Sequence, residues 1–238
     1  LGRVDRILVA SPNYLESSEI LQQFRHKCSV VPYGIERSRF IQVDAEAARS
    51  VRARYGEGPL LLFVGVLRYY KGLQYLLEAL PQIPARLLVV GAGPMEATLR
   101  EQAQALGLGS KVVLVGRVPD EELPAYYHAA DLFVLPSGER SEAFGLVLVE
   151  AMSAGLPVVS TELGTGTSYV NRHGESGLVV PAQDPPALVQ AINGLLADSD
   201  LRRRLAAGAL ARSDLFDRKG MLTKIEGIYA ELMNGRKD

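Results

Sequence analysis

Four short runs, Leu60-Leu-Leu-Phe-Val-Gly65, Arg86-Leu-Leu-Val-Val-Gly91, Lys111-Val-Val-Leu-Val-Gly116 and Asp131-Leu-Phe-Val-Leu-Pro136, are apolar at consecutive rather than alternate positions. A strand with one face in water alternates polar and apolar residues. A strand that is apolar throughout needs cover on both faces, the setting of a parallel sheet between two helical layers. Strands are expected at 5–10, 29–32, 60–65, 86–91, 111–116, 131–136, 157–161 and 178–181, each stopped by Gly, Pro or a polar turn. Helical periodicity fills the gaps at 15–24, 45–55, 72–79, 95–106, 121–129, 144–154 and 186–197, then continues without strands at 201–212 and 220–233. The expectation is an α/β fold with a Rossmann-like, doubly wound parallel sheet and C-terminal helices. Right-handed crossovers would bring every strand-to-helix loop to one edge of the sheet, where ligands bind.

Composition narrows the function classes. The 238 residues carry 26 Lys+Arg and 27 Asp+Glu, a formal net charge of −1, so nothing marks a nucleic-acid surface. The single cysteine, Cys28, excludes an intramolecular disulfide and a cysteine-rich metal site. His26, His128 and His173 are scattered without metal-ligand spacing. The apolar run 143–160 approaches membrane-spanning length, but Glu150 lies near its middle and Gly155 and Pro157 interrupt it. A helix followed by a buried strand fits it better. Leu1 is not an initiator residue, and a fragment or processed product is expected. Without a signal-peptide region, the expected location is cytoplasmic, with a peripheral place at the inner face of a membrane as the further option.

Three loops could carry chemistry. Gly65-Val-Leu-Arg-Tyr-Tyr-Lys-Gly72 follows a buried strand and opens a helix, which puts Arg68 and Lys71 near a helix N-terminus. Peptide dipoles already supply positive charge there, so these cations are either solvated or partnered by an anion such as phosphate. In Ser141-Glu-Ala-Phe-Gly-Leu-Val-Leu-Val-Glu150, Glu142 and Glu150 are separated by a little over two helical turns. Glu150 sits among Leu146, Val147, Ser153 and Ala154, so its carboxylate needs either ligand hydroxyls or a structural Lys or Arg partner. Glu142 reads either as a ligand group or as an acid favouring a helix start. The amides of Phe144, Gly145 and Leu146 would be orphan donors able to hold a diphosphate. The third loop, Gly91-Ala-Gly-Pro-Met-Glu96, begins like a dinucleotide fingerprint but has Glu96 at the third glycine position; a tight strand-to-helix turn is the better reading. Elsewhere, Asp198-Ser-Asp200 reads as helix capping and Arg202, Arg203 and Arg204 as a solvated helix face. Gly164-Thr-Gly-Thr167 and Gly174-Glu-Ser-Gly177 mark loops that either approach a ligand or merely turn.

In this order the motifs resemble the C-terminal half of retaining glycosyltransferases of the GT-B fold, specifically glycosyltransferase family 4. Glu142-Ala-Phe-Gly-Leu-Val-Leu-Val-Glu150 is similar to the family's E-x7-E element. Val31-Pro-Tyr-Gly-Ile-Glu36, Phe63-Val-Gly65, Lys71-Gly72, Val90-Gly-Ala-Gly-Pro94 and Gly174-Glu-Ser-Gly-Leu178 support it. The resemblance implies that Lys71 and Glu142 are the catalytic residues, that Lys71 holds the donor diphosphate and the amides of Phe144, Gly145 and Leu146 meet the phosphates, and that Gly65 and Gly91 belong to the donor-binding site. It implies that Glu150 binds the ribose, that Glu142 meets the transferred hexose, and that Val118 contacts the base. Where the family commonly has Arg after the first glycine this chain has Val66, and Arg68 is expected to supply the charge. The implied organisation is a remnant of an N-terminal acceptor domain and linker over 1–36, a donor-binding domain over 37–214, and a helix returning toward the N-terminal domain over 215–238. The implied partners are a GDP- or UDP-hexose, with GDP-mannose favoured, a glycan or lipid-linked acceptor, and the missing N-terminal domain. No cofactor and no metal are expected. Rival readings are a non-catalytic nucleotide-binding half of a split enzyme, a sugar-nucleotide epimerase, and an NADP-dependent oxidoreductase.

Overall fold

The structure, a computed structural model, describes residues 1–234. Its strands are β1 (Ile7–Val9), β2 (Cys28–Val30), β3 (Leu60–Val64), β4 (Arg86–Val90), β5 (Val112–Gly116), β6 (Leu132–Leu135), β7 (Val158–Glu162) and β8 (Gly177–Pro181). Its helices are α1 (Pro12–Ser17), α2 (Glu19–Gln22), α3 (Ser38–Ile41), α4 (Ala45–Tyr55), α5 (Leu73–Ala79) and α6 (Glu96–Ala105). They continue with α7 (Leu123–Ala129), α8 (Leu146–Ser153), α9 (Gly166–Val170), α10 (Pro185–Ala197), α11 (Ser199–Ser213) and α12 (Arg218–Asn234).

Six strands form one parallel sheet in the order β5-β4-β3-β6-β7-β8. Helices α5, α6 and α10 pack together on one side, and α4, α7, α8 and α11 on the other. The doubly wound expectation is met, and the central strands β3 and β6 are buried at every position. The apolar run of β5 is only half-buried, because that strand lies at the sheet edge with one neighbour. At the opposite strand ends, the Asp131 carboxylate accepts from the Leu60 amide at 2.7 Å and from Arg52 at 2.8 Å, which pins the starts of β3 and β6 together.

Helix starts follow local chemistry. Asp44, Asp184 and Asp198 cap α4, α10 and α11 through their side chains, so Asp198-Ser-Asp200 is a cap as expected. The single helix expected over 15–24 is instead α1 and α2, because Ser18 adopts an extended backbone and caps the Leu21 amide. The helices α3 and α9, four and five residues long, were not expected; segments this short leave little periodicity to read. The apolar run 143–160 is the eight-residue α8 followed by β7, and among the described residues no helix is long and apolar enough to cross a membrane. The basic triplet is not uniformly solvated: Arg202 donates to the Leu195 and Leu196 carbonyls at the end of α10, and Arg204 to Gly174.

Strands β1 and β2 form a separate two-stranded parallel sheet. The chain then meets its own C-terminal part: the Ile35 amide donates to Phe216 O and the Arg218 amide to Ile35 O, both at 2.9 Å. From there α12 runs beside residues 3–8, with Arg6 3.6 Å from Glu231. The expected segment 215–238 is thus a turn and α12 as far as Asn234; residues 235–238 lie outside the described residues.

Backbone contact between loops sets tight limits at glycine. Gly72 has φ +71°, and a Cβ there would lie 1.9 Å from the Pro136 carbonyl oxygen. Both the left-handed backbone and the overlap penalise a side chain, so Gly72→Ala is expected to cost about 2–4 kcal/mol of stability. Gly109→Ala, in open space without positive φ, should stay within about 0.5 kcal/mol. Urea unfolding of the two variants checks the difference.

Candidate functional site

The sheet order reverses direction between β3 and β6. From β3 the chain winds outward through β4 and β5, and from β6 through β7 and β8. The loops leaving the carboxyl ends of β3 and β6 therefore lead into opposite halves of the sheet, and the point between them is the usual ligand position in such sheets. The loop after β3 ends in a tight turn, Tyr69–Lys71, and the loop after β6 covers residues 136–145. They touch through backbone: Gly138 N donates to Tyr70 O at 2.8 Å.

This contact delivers Lys71 to Glu142. Lys71 Nζ lies 2.5 Å from Glu142 Oε2, and the two side chains are only 11% and 9% exposed. Ser137 Oγ donates to the same carboxylate oxygen at 3.2 Å. Thr165 Oγ1 donates to the Glu142 carbonyl at 2.8 Å, and Gly166 N to the Ala143 carbonyl at 2.8 Å, so the loop after β7 clamps the segment from behind. Glu142 is therefore not an acid stabilising a helix start. The helix begins four residues later, and the carboxylate is the buried partner of a lysine. The glycines of 164–167 serve this clamp: a Cβ on Gly166 would lie 2.7 Å from Phe144 Cδ2.

Helix α8 starts at Leu146, two residues later than expected, because Gly145 with φ +79° forms its N-cap. None of the amides of Phe144, Gly145 and Leu146 has an acceptor among the described residues. These unpaired donors, at the positive end of a helix and beside Lys71, suit an anion. The Phe144 ring is buried and packs edge-on against Tyr33 at 5.3 Å and Phe216 at 5.9 Å, which fixes the backbone that presents the amides.

Glu150 lies on α8 and is mostly buried, and among the described residues its hydrogen-bond partner is neither Lys nor Arg. Tyr127 of α7 donates to Glu150 Oε2 at 2.6 Å. Burial holds the Glu150 carboxyl above its ordinary pKa; the Tyr127 hydrogen bond, Arg39 and Lys71 pull it down, and Asp120 pushes it up. Burial, then the neighbouring carboxylate, push the Tyr127 phenol well above its usual value. Oxygen Oε1 of Glu150 makes no hydrogen bond among the described residues and is not closed off from solvent.

The remaining expected residues sit around this centre. Gly65 lies against Lys71, where an added Cβ would be 3.6 Å from Lys71 Cε. Gly91 packs on Gly65 so closely that a Cβ would lie 2.0 Å from the Gly65 oxygen, and Gly93 meets Leu67 in the same way. The glycine pair of 91–93 thus serves loop-on-loop packing, the tight-turn reading. Arg68 is exposed beside exposed Val66, with no side-chain partner among the described residues. Val118 is half-buried in the loop after β5, where Arg39 donates to the Asp120 carbonyl at 3.1 Å. Sequence reasoning missed Ser137, Thr165, Tyr127 and Arg39. A buried carboxylate signals that a donor is near, but not from which helix it comes.

The sequence profile of the family described as glycosyl transferases group 1 matches residues 44–212. The chain is 44% identical over 212 residues to the D-rhamnosyltransferase WbpZ of Pseudomonas aeruginosa, covering 89% of this chain and 55% of that protein. It is 37% identical over 237 residues to the O-antigen chain mannosyltransferase C of Escherichia coli, covering 99% of this chain and 63% of that one. Among solved structures, sucrose-phosphate synthase from Thermosynechococcus elongatus superposes with a TM-score of 0.84 at 32% identity, over 98% of this chain and 59% of that one. The chain therefore spans less than two-thirds of the length of these relatives. Its architecture is that of a GT-B C-terminal domain.

Because the folded Glu150 carboxyl is held above its ordinary pKa, its contribution to stability is present at low pH and is lost as pH rises through the raised value. Glu150→Gln can still accept from Tyr127 but carries no buried charge. It is expected to melt at a higher temperature than wild type at pH 8, with the difference shrinking toward pH 4. Thermal melts of the ligand-free proteins across that range check the sign.

Proposed function

This chain belongs to the glycosyl transferases group 1 family; we propose that it is the donor-binding half of a glycosyltransferase that takes its hexosyl group from a nucleotide-diphosphate sugar. The observation that carries this reading is the meeting of Lys71, Glu142 and three unpaired amides at the switch point of the sheet. A pyrophosphate needs fixed cations and N–H donors; a sugar needs carboxylate acceptors for its hydroxyls. Both kinds of group stand at the carboxyl edge between β3 and β6. In this reading Lys71 and the amides of Phe144, Gly145 and Leu146 hold the diphosphate. Glu142 accepts from the hexose, Glu150 from the ribose, and Val118 lies against the base, with Gly65 and Gly91 keeping the loops close and Arg68 adding charge from the rim.

Breaking the anomeric C–O bond leaves negative charge on the departing diphosphate. A fixed lysine and preorganised amides stabilise that charge more strongly than the ground state, which lowers the barrier. Transfer with retention follows if the acceptor hydroxyl attacks the same face within an ion pair and passes its proton to the departing diphosphate oxygen, and Glu142 then orients the hexose without forming a bond to it. GDP-mannose is the favoured donor; the name of the mannosyltransferase relative supports the sugar, and that of a GDP-mannose-dependent mannosyltransferase of Mycolicibacterium smegmatis, 35% identical over 220 residues, supports the base. The acceptor, a glycan or a lipid-linked glycan, would be held by an N-terminal domain of which residues 1–36 are the end.

Ligand-induced stabilisation tests the reading. At about 100 times its Kd a bound nucleotide adds roughly 2.7 kcal/mol, a clear rise in Tm. GDP or UDP is expected to give that rise, and ADP and NADPH are not. Lys71→Ala removes a charged contact and should weaken the nucleotide by about 1.5–3 kcal/mol. Glu142→Gln, which releases Lys71, should leave nucleoside diphosphate binding intact or tighter while abolishing most hexosyl transfer by the full-length enzyme. Equal losses of nucleotide affinity in both variants would refute the division of roles.

A further inference from the structure

The hydrogen bond between Tyr127 and Glu150 has a feature that core packing does not require. Tyr127 is fully buried, with its ring set edge-on to Phe40 at 5.6 Å and tilted against Phe133 at 5.7 Å. Those contacts leave the phenol hydroxyl one place to point, and its partner there is Glu150 Oε2. A buried hydroxyl is satisfied as well by a neutral amide or a backbone carbonyl, and a carboxylate in the same place carries the added penalty of its charge. Only one of the two carboxylate oxygens is used. Among the described residues, oxygen Oε1 makes no hydrogen bond and is not fully closed off from solvent, while Arg39, Asp120 and Lys71, the charged groups that act on the carboxyl, come from α3, the loop after β5 and the loop after β3. The packed phenol thus holds one oxygen and so constrains the direction of the other.

We infer that Tyr127 is a positioning residue for donor recognition: by anchoring Glu150 Oε2 it orients Oε1 to accept from the ribose hydroxyls of the nucleotide, and so sets discrimination for a ribose carrying those hydroxyls. The inference rests on the donor-binding reading above and adds a residue and a selectivity to it. Without the phenol, the glutamate side chain regains rotamer freedom and must be ordered by the ligand, so the ribose-specific part of the affinity falls. The contacts to base and diphosphate, made by other residues, are unaffected.

The test is calorimetric titration with whichever of GDP and UDP the wild-type chain binds, and with its 2′,3′-dideoxy counterpart. Wild type is expected to prefer the ribonucleotide by about tenfold or more, the value of a hydrogen bond to a charged group. Tyr127→Phe should reduce that preference to about twofold through weaker ribonucleotide binding alone, with dideoxynucleotide affinity unchanged. Glu150→Asp, which shortens the ribose-facing side chain itself, should lose the preference too and sets the limit of the effect; Tyr127→Leu, likewise without the hydroxyl, supplies the second test if the phenylalanine variant folds poorly. Equal weakening of both nucleotides in Tyr127→Phe would make the residue structural only and overturn the inference. So would retention of the full preference in either variant, or a wild-type chain that binds both nucleotides equally. If wild type binds neither GDP nor UDP, the donor-binding reading itself fails and this inference with it.

Discussion

Lys71 and Glu142 stand 71 residues apart in the chain, and they meet because β3 and β6 lie side by side. That pairing is short, Leu61 against Leu132 and Leu62 against Phe133, and it occurs where the winding of the sheet changes direction. Everything at the carboxyl edge depends on it. The two loops approach because their strands do, glycine lets them touch by backbone, and the ion pair closes between them. The fully apolar composition of β3 and β6 is thus the first cause of the site, since only strands covered on both faces can occupy the centre of the sheet.

Much of this was legible in the sequence. Continuous apolar runs ending in Gly or Pro located the central strands, and the spacing of Glu142 and Glu150 placed the second carboxylate on a helix. What could not be read were relations across the fold. A lysine and a glutamate can each be recognised as unusual, but that they neutralise one another depends on strand order. Tyr127 sits in a helix whose other residues are buried by packing, so nothing local distinguishes its hydroxyl. The N-terminal helix was misread for a different reason: the periodicity over 15–24 was sound, but the Ser18 side chain competed with the helix for the backbone.

The site also conflicts with stability. Glu150 is a carboxylate in a largely buried position, and Lys71 and Glu142 form an ion pair with little access to water. Removing either partner of such a pair leaves a stranded charge, a loss of about 3–5 kcal/mol in comparable cases. Apolar residues of similar size would make a more stable domain. Features of this kind, clustered at one edge of an otherwise conventional core, set the candidate site apart from its scaffold.

In the donor-binding reading, the ion pair bears on which anions Lys71 accepts. Among the described residues, the buried ammonium of Lys71 already has a counter-ion, and that counter-ion is itself held by Ser137. Inorganic phosphate or another small anion offers Lys71 a second partner but leaves the Glu142 carboxylate buried and uncompensated, so the exchange returns little. A ligand that carries hydroxyl donors beside its phosphate compensates both ends at once. Selectivity in that reading resides in the contact that has to be given up.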